Sequence, residues 1–217
     1  LLHRLDRATS GVLLFALDLA TARALGEQFE RGEVRKRYVA LVRGLAPDEQ
    51  LFDYPRLGDD SELDAIFAAG IRHAFVAIGA NRARRRLIDA VRAAGFDLVN
   101  AVSPHAAVSR RARLGRGVAV MPGAVVNADT EIADGAIVNT GATIDHDCRI
   151  GPCAHLAPGV HVAGTVTIGE GAFLGAGCAV IPGVRIGAWV TVGAGAAVVS
   201  DLPEGVKAVG VPAKRYL

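Results

Sequence analysis

From Val108 onward an aliphatic residue returns every sixth position, through Leu114, Val120, Val126, Ile132 and on to Val198, always as Val, Ile or Leu. Two residues earlier in each hexad stands a short residue, from Ala106 and Ala112 to Thr130, Cys148, Cys178 and Ala196. A period of six with recurrent Gly and Pro excludes helical heptads. It fits short strands that bend at each repeat, so that stacked coils bury a column of aliphatic side chains. The pattern predicts a parallel β-helix. With three hexads per coil, sixteen hexads make just over five coils, roughly 25 Å tall at a strand spacing of about 4.8 Å. The closing DLPEGVKAVGVPAKRYL breaks the period and is expected to cap one end.

The segment before the prism alternates differently. SELDAIFAAG and RARRRLIDAVRAAG carry helical patterns, and HAFVAIGA and DLVNAVS read as strands, which predicts a small α/β domain over 57–102 ahead of a prism domain over 103–217. In the second helix Leu87, Ile88, Val91 and Ala94 face inward, so Arg82, Arg84, Arg85 and Arg86 are expected on its solvated face. The AIGAN turn, residues 77–81, follows a strand, but one glycine is a weak phosphate signal.

Composition narrows the class. Of 217 residues, 51% are hydrophobic, 26 are glycine and only 5% are aromatic, consistent with a core of small stacked side chains. The formal net charge of +2 implies no bulk attraction to nucleic acid or membrane. Three cysteines cannot all pair and show no zinc-ligand spacing, so no metal site is expected and a reducing compartment, the cytoplasm, fits. No stretch is long and apolar enough for a transmembrane helix.

Histidine carries the candidate chemistry. His146, His155 and His161 fall in the repeat but outside its buried aliphatic offset, so they should point outward or into a subunit interface. A neutral imidazole suits proton abstraction near pH 7. In ATIDHDCRIG, His146 lies between Asp145 and Asp147, where a carboxylate could orient the ring and stabilise an imidazolium. His161 is expected to be structural, and His73 and His105 carry no signal.

These stretches, with VSPHAAVS, NTGATIDHDCRIGPCAHLAPGVHVAGTVTIGEGAFLGAGCAVIPGVRIG and AVGVPAKR, resemble the hexapeptide-repeat acyltransferases over residues 57–217. The likeness is to the subgroup that acetylates nucleotide-linked amino sugars or sialic acid. It implies a left-handed β-helix, a homotrimer, acetyl-CoA as co-substrate and a sugar or nucleotide-sugar acceptor. It places the catalytic base at His146 with Asp147 assisting, an acetyl contact at His155, and a cofactor groove along Gly164, Ala176 and Ala194. The alternative within this fold is an inactive trimeric scaffold.

Residues 1–56 follow another rule. HRLDRATSGVLLFALDLATARALGEQFERGEVRKRYVALVRG resembles the RNA pseudouridine synthases, whose catalytic aspartate matches Asp6 and whose pocket tyrosine matches Tyr38. A carboxylate nucleophile beside Arg4, Arg7, Arg35, Lys36 and Arg37 would suit attack on a uridine held by its phosphates. The segment lacks the rest of that enzyme and is expected to be a fragment, a β-α-β unit that could complete the α/β domain.

Overall fold

A computed structural model describes residues 50–51, 54–55 and 60–216. Asp6, Tyr38 and the expected β-α-β unit lie outside the described residues. Gln50–Leu51 pairs antiparallel with Tyr54–Pro55. The chain divides into two compact units: one takes the chain up to Ile78 together with Leu87–Val99, and the other takes Gly79–Arg86 together with Asn100–Leu217.

In the first unit, a 3₁₀ turn at Asp60–Glu62 leads into the helix Leu63–Ala68. Beyond the Gln50–Leu51 and Tyr54–Pro55 pair, His73–Ala74 and Asp97–Leu98 form strands, paired in parallel. Its buried residues include Leu63, Ile66, Phe75, Val76, Ile78, Leu87, Ile88, Val91, Phe96 and Leu98. Phe67 and Phe96 meet edge to face at 5.2 Å, and the Arg72 guanidinium lies 4.1 Å above the Phe67 ring.

The second unit is a left-handed parallel β-helix of about six turns. Its two-residue strands recur every six residues and stack every eighteen, so that Ile132, Ile150, Ile168 and Ile186 form one inward column. Ala101–Val102 pairs with Ala119–Val120 and belongs to this solenoid, whereas the sequence placed it in the preceding domain. The three faces are an eight-, a six- and a five-stranded sheet. Both columns anticipated from the sequence are buried: Ile144, Leu156, Leu174 and Val192 in one, Ala142, Cys148, Ala154 and Cys178 in the other, all at 0% exposure. Cys148, Cys153 and Cys178 are free thiols, and Cys153 sits at a turn. Coils approach too closely for a side chain at some corners; a Cβ on Gly169 would stand 2.4 Å from the backbone nitrogen of Ala188. At the far end, Lys214–Tyr216 returns antiparallel onto Lys207–Val209, so the last rung is covered as the broken period suggested.

The expectation of a fully solvated arginine face is overturned at one position. Arg84, in the helix Asn81–Ala93, is 1% exposed. Its Nε donates to Gly135 O at 2.8 Å, Nη1 to Gly79 O at 3.0 Å, and Nη2 to both Cys153 O at 2.7 Å and Asn81 Oδ1 at 3.0 Å. Burial pulls its pKa down to about 10. Arg85, half-buried, pairs with Glu170 at 2.6 Å, and Arg82 stacks 4.3 Å above the Trp189 ring.

Candidate active site

His146 follows the strand Thr143–Ile144 and stands at a corner of the prism. Its Nδ1 lies 2.8 Å from Asp147 Oδ2. Both side chains are more than half exposed, and with Nδ1 held by Asp147 the other ring nitrogen, Nε2, has no hydrogen bond among the described residues. Asp147 adopts a left-handed φ of 59°, as do Asp129 and Thr165 one coil to either side. Glycine fills the left-handed positions of another corner, at Gly141, Gly159 and Gly177. Asp147 therefore carries a backbone strain that glycine would avoid, and in return supplies a carboxylate to its neighbour.

Asp145 orders the same turn from the other side. Its Oδ1 accepts from the His146 backbone N–H at 2.9 Å and from Asn127 Nδ2 at 3.0 Å. The Asn127 bond, followed by the His146 N–H, holds the Asp145 carboxyl below its ordinary range. The hydrogen bond to Asp147, followed by the charge of Asp145, raises the His146 pKa. The corner thus offers an oriented imidazole with enhanced basicity.

Gly164 lies one coil on from His146, and the imidazole packs directly against it. A Cβ there would stand 2.7 Å from Cε1 and 2.8 Å from Nε2 of the ring. The spacing of eighteen could have exposed this pairing, but the sequence alone suggested only a groove-lining role. Gly164 is absent from the left-handed positions, so alanine suits its backbone. Gly164→Ala is expected to shift the ring and lower turnover about tenfold or more while leaving the thermal midpoint within a few degrees, as measured by steady-state kinetics and scanning calorimetry.

The other expected site residues are spread around the prism. Ala176 and Ala194 are exposed and one coil apart, on the corner that follows the Phe173–Leu174 and Thr191–Val192 strands, a different corner from His146. His155 is half-buried on the eight-stranded face. Its Nδ1–H donates to Gly79 O at 3.3 Å, and Nε2 accepts from Asn139 Nδ2 at 3.2 Å. Desolvation, then the nearby Arg84 charge, pushes its pKa down to about 4, so the ring is neutral. Both nitrogens are engaged within the chain in this arrangement. His161 bonds to Thr143 Oγ1 at 2.9 Å through Nδ1, in keeping with a structural role. Thr130, Asn127 and Asn139 were not singled out for the site from the sequence, and Arg84 was expected only on a solvated face; the hydroxyl of Thr130 among apolar column neighbours was the one hint of special work.

Comparison with known proteins places this fold. A family model described as bacterial transferase hexapeptide (six repeats) matches residues 147–180 and 165–199. The chain is 53% identical to PerB from Caulobacter crescentus, solved with CoA and GDP-perosamine, with 78% of this chain and 82% of that chain covered and a TM-score of 0.76. The chain belongs to the hexapeptide-repeat acetyltransferases. This acetyltransferase chain is also 34% identical to the acetyltransferase domain of PglB from Neisseria gonorrhoeae, solved with acetyl coenzyme A, over 90% of this chain and 94% of that domain, with a TM-score of 0.78. A histidine-to-asparagine variant of the Caulobacter crescentus perosamine N-acetyltransferase, solved with CoA and GDP-perosamine, is 50% identical over 81% of this chain and 84% of that one, at a TM-score of 0.78.

The N-terminal part of the acetyltransferase chain has a different likeness. A family model described as RNA pseudouridylate synthase matches residues 1–78. The tRNA pseudouridine synthase C of Haemophilus ducreyi is 56% identical over 54 residues, which are 25% of this chain and 22% of that protein. The Salmonella typhimurium protein of the same name is 47% identical over 66 residues, 30% of this chain and 25% of that protein. The chain therefore spans about a quarter of the length of the curated relatives it matches. Among the described residues, no helix is long and apolar enough to cross a membrane.

Proposed function

We propose that this protein transfers an acetyl group from acetyl-CoA to the amine of a nucleotide-linked amino sugar, with His146 as general base. The observation that carries the proposal is the 2.8 Å bond from His146 Nδ1 to Asp147, which leaves Nε2 to act. The solved relatives with CoA and GDP-perosamine support the choice of donor and acceptor class.

The chemistry follows from the ring. With Nδ1–H donated to Asp147, the Nε2 lone pair takes a proton as the acceptor nitrogen attacks the thioester carbonyl. The tetrahedral intermediate collapses with cleavage of the carbon–sulfur bond, and the imidazolium returns its proton to the departing CoA sulfur. Asp147 accepts the Nδ1–H bond and stabilises the transient imidazolium. Small residues at Ala176 and Ala194 suit close approach of a pantetheine arm, while Gly164 keeps the base in place. His155, neutral and anchored, orders the wall it belongs to. A homotrimer in the cytoplasm is the assembly and location that agree with this reading.

Release of free CoA thiol against a panel of nucleotide-linked amino sugars tests the proposal: turnover with the amino sugar and none with its deamino analogue is expected. Catalysis needs the deprotonated ring, so activity should rise with pH through the His146 pKa. Asp147→Asn removes the first cause of the raised pKa, and the acidic limb of the pH–rate profile should therefore move to lower pH while kcat falls. An unmoved limb would separate Asp147 from the base. A second proposal, favoured by the match over residues 1–78, is RNA modification through Asp6 and Tyr38. Tritium release from 5-labelled uridine RNA, assayed beside CoA release, distinguishes the two.

A further inference from the structure

Thr130 is completely buried, with 0% exposure, in a column whose neighbours are Ala112, Cys148, Val166 and Val184 at intervals of eighteen. It is the only hydroxyl-bearing residue in the short-residue positions of the repeat. Its Oγ1–H donates to the carbonyl of Asp145 at 2.7 Å, and the same oxygen accepts the backbone N–H of Cys148 at 3.2 Å. One hydroxyl thus spans the whole turn from Asp145 to Cys148, with His146 and Asp147 between its two attachment points. The Cys148 thiol extends the brace: Sγ lies 3.2 Å from Ala163 O and 3.6 Å from His146 O. Two further backbone bonds of the turn run along the prism axis, Asp147 N–H to Ala128 O at 3.1 Å and Thr165 N–H to His146 O at 2.9 Å.

We infer that Thr130 is a positioning residue for the base: its hydroxyl fixes the strained Asp145–Cys148 turn so that the His146 ring keeps its bond to Asp147. Two features distinguish this from simple core filling. Cys148, one rung on, makes the weaker equivalent bond to the carbonyl fifteen residues ahead through its thiol, whereas the alanine and aliphatic side chains at the other rungs carry no polar atom, so the coil itself does not require a hydroxyl. The bonded groups also flank the one turn of the prism where an imidazole and a carboxylate are paired at a left-handed residue. Among the groups facing the ring are Asp145 and Asp147 on its own turn; Gly164, on the adjacent coil, carries no charge.

The inference rests on the reading of His146 as base, but ring placement can be measured without activity. Thr130→Val keeps the shape and removes both bonds; Thr130→Ala reproduces the residue found at other rungs, and serves if the valine variant does not fold; Thr130→Ser restores the hydroxyl. Nuclear magnetic resonance titration of the His146 ring should give a midpoint lowered toward the ordinary histidine value in the valine and alanine variants and a native midpoint in the serine variant. Turnover should fall about fivefold with the KM for acetyl-CoA unchanged, and serine should rescue it. A native ring titration together with native kcat in folded Thr130→Ala would overturn the inference. If His146→Ala retains full activity the base assignment fails, whereas the ring titration still decides whether Thr130 places the imidazole.

Discussion

His146→Ala is expected to lower kcat for CoA release by about 10²–10⁴-fold, the usual contribution of a positioned general base, while acetyl-CoA still binds. The split between the two measurements follows from geometry. The imidazole stands at a solvent-facing corner, more than half exposed, and touches Gly164 instead of a hydrophobic neighbour that its loss would leave unpacked. Removal therefore eliminates a proton acceptor without opening a core cavity. Calorimetric titration with acetyl-CoA and steady-state assays on the same preparation check the result. Equal turnover in wild type and variant would end the assignment. His146→Gln should resemble alanine, because an amide can fill the space and bond to Asp147 but cannot accept the proton.

Arg84→Met has the largest expected cost to stability, roughly 3–5 kcal/mol, the range seen when one partner of a buried charged network is removed. The methionine fills much of the same volume but leaves the carbonyls of Gly135, Cys153 and Gly79 without their guanidinium donor. Arg84→Lys should recover only part of the loss, since a single ammonium cannot reproduce a planar fork that reaches two successive coils of the prism. Urea unfolding of the three proteins gives the comparison. A loss below about 1 kcal/mol for the methionine variant would mean that the bonds are replaced by water.

The solenoid was legible because its sequence is redundant. Each aliphatic position is specified by the same spacing, so no single ambiguous residue could obscure the period. His146 was legible for a different reason: two acidic neighbours and its place outside the buried offset marked it as exposed and chemically unusual. Arg84 was misjudged because a run of arginines looks uniformly solvated. Helical pitch nevertheless puts Arg84 in line with Ile88 and Val91, both buried, and that signal outranked composition. The contact of His146 with Gly164 and the brace from Thr130 depend on which residues lie above one another. A hexad count without the eighteen-residue coil does not give that information. The short strand at His73–Ala74 was overextended in the sequence because a continuous apolar run marks burial better than it marks pairing.

The eighteen-residue coil has an evolutionary consequence. Loss or gain of one complete coil returns every later side chain to its original corner, so the solenoid can change length by duplication of whole coils outside the His146–Gly164 pair without disturbing that corner. An insertion of six residues between His146 and Gly164 preserves the buried pattern equally well, yet rotates everything downstream by one face. Gly164 would then no longer sit over His146, and the chain would fold into an intact prism with a dismantled site. Length in this architecture is inherited in whole turns, and hydrophobic periodicity alone is a poor guard against the wrong one.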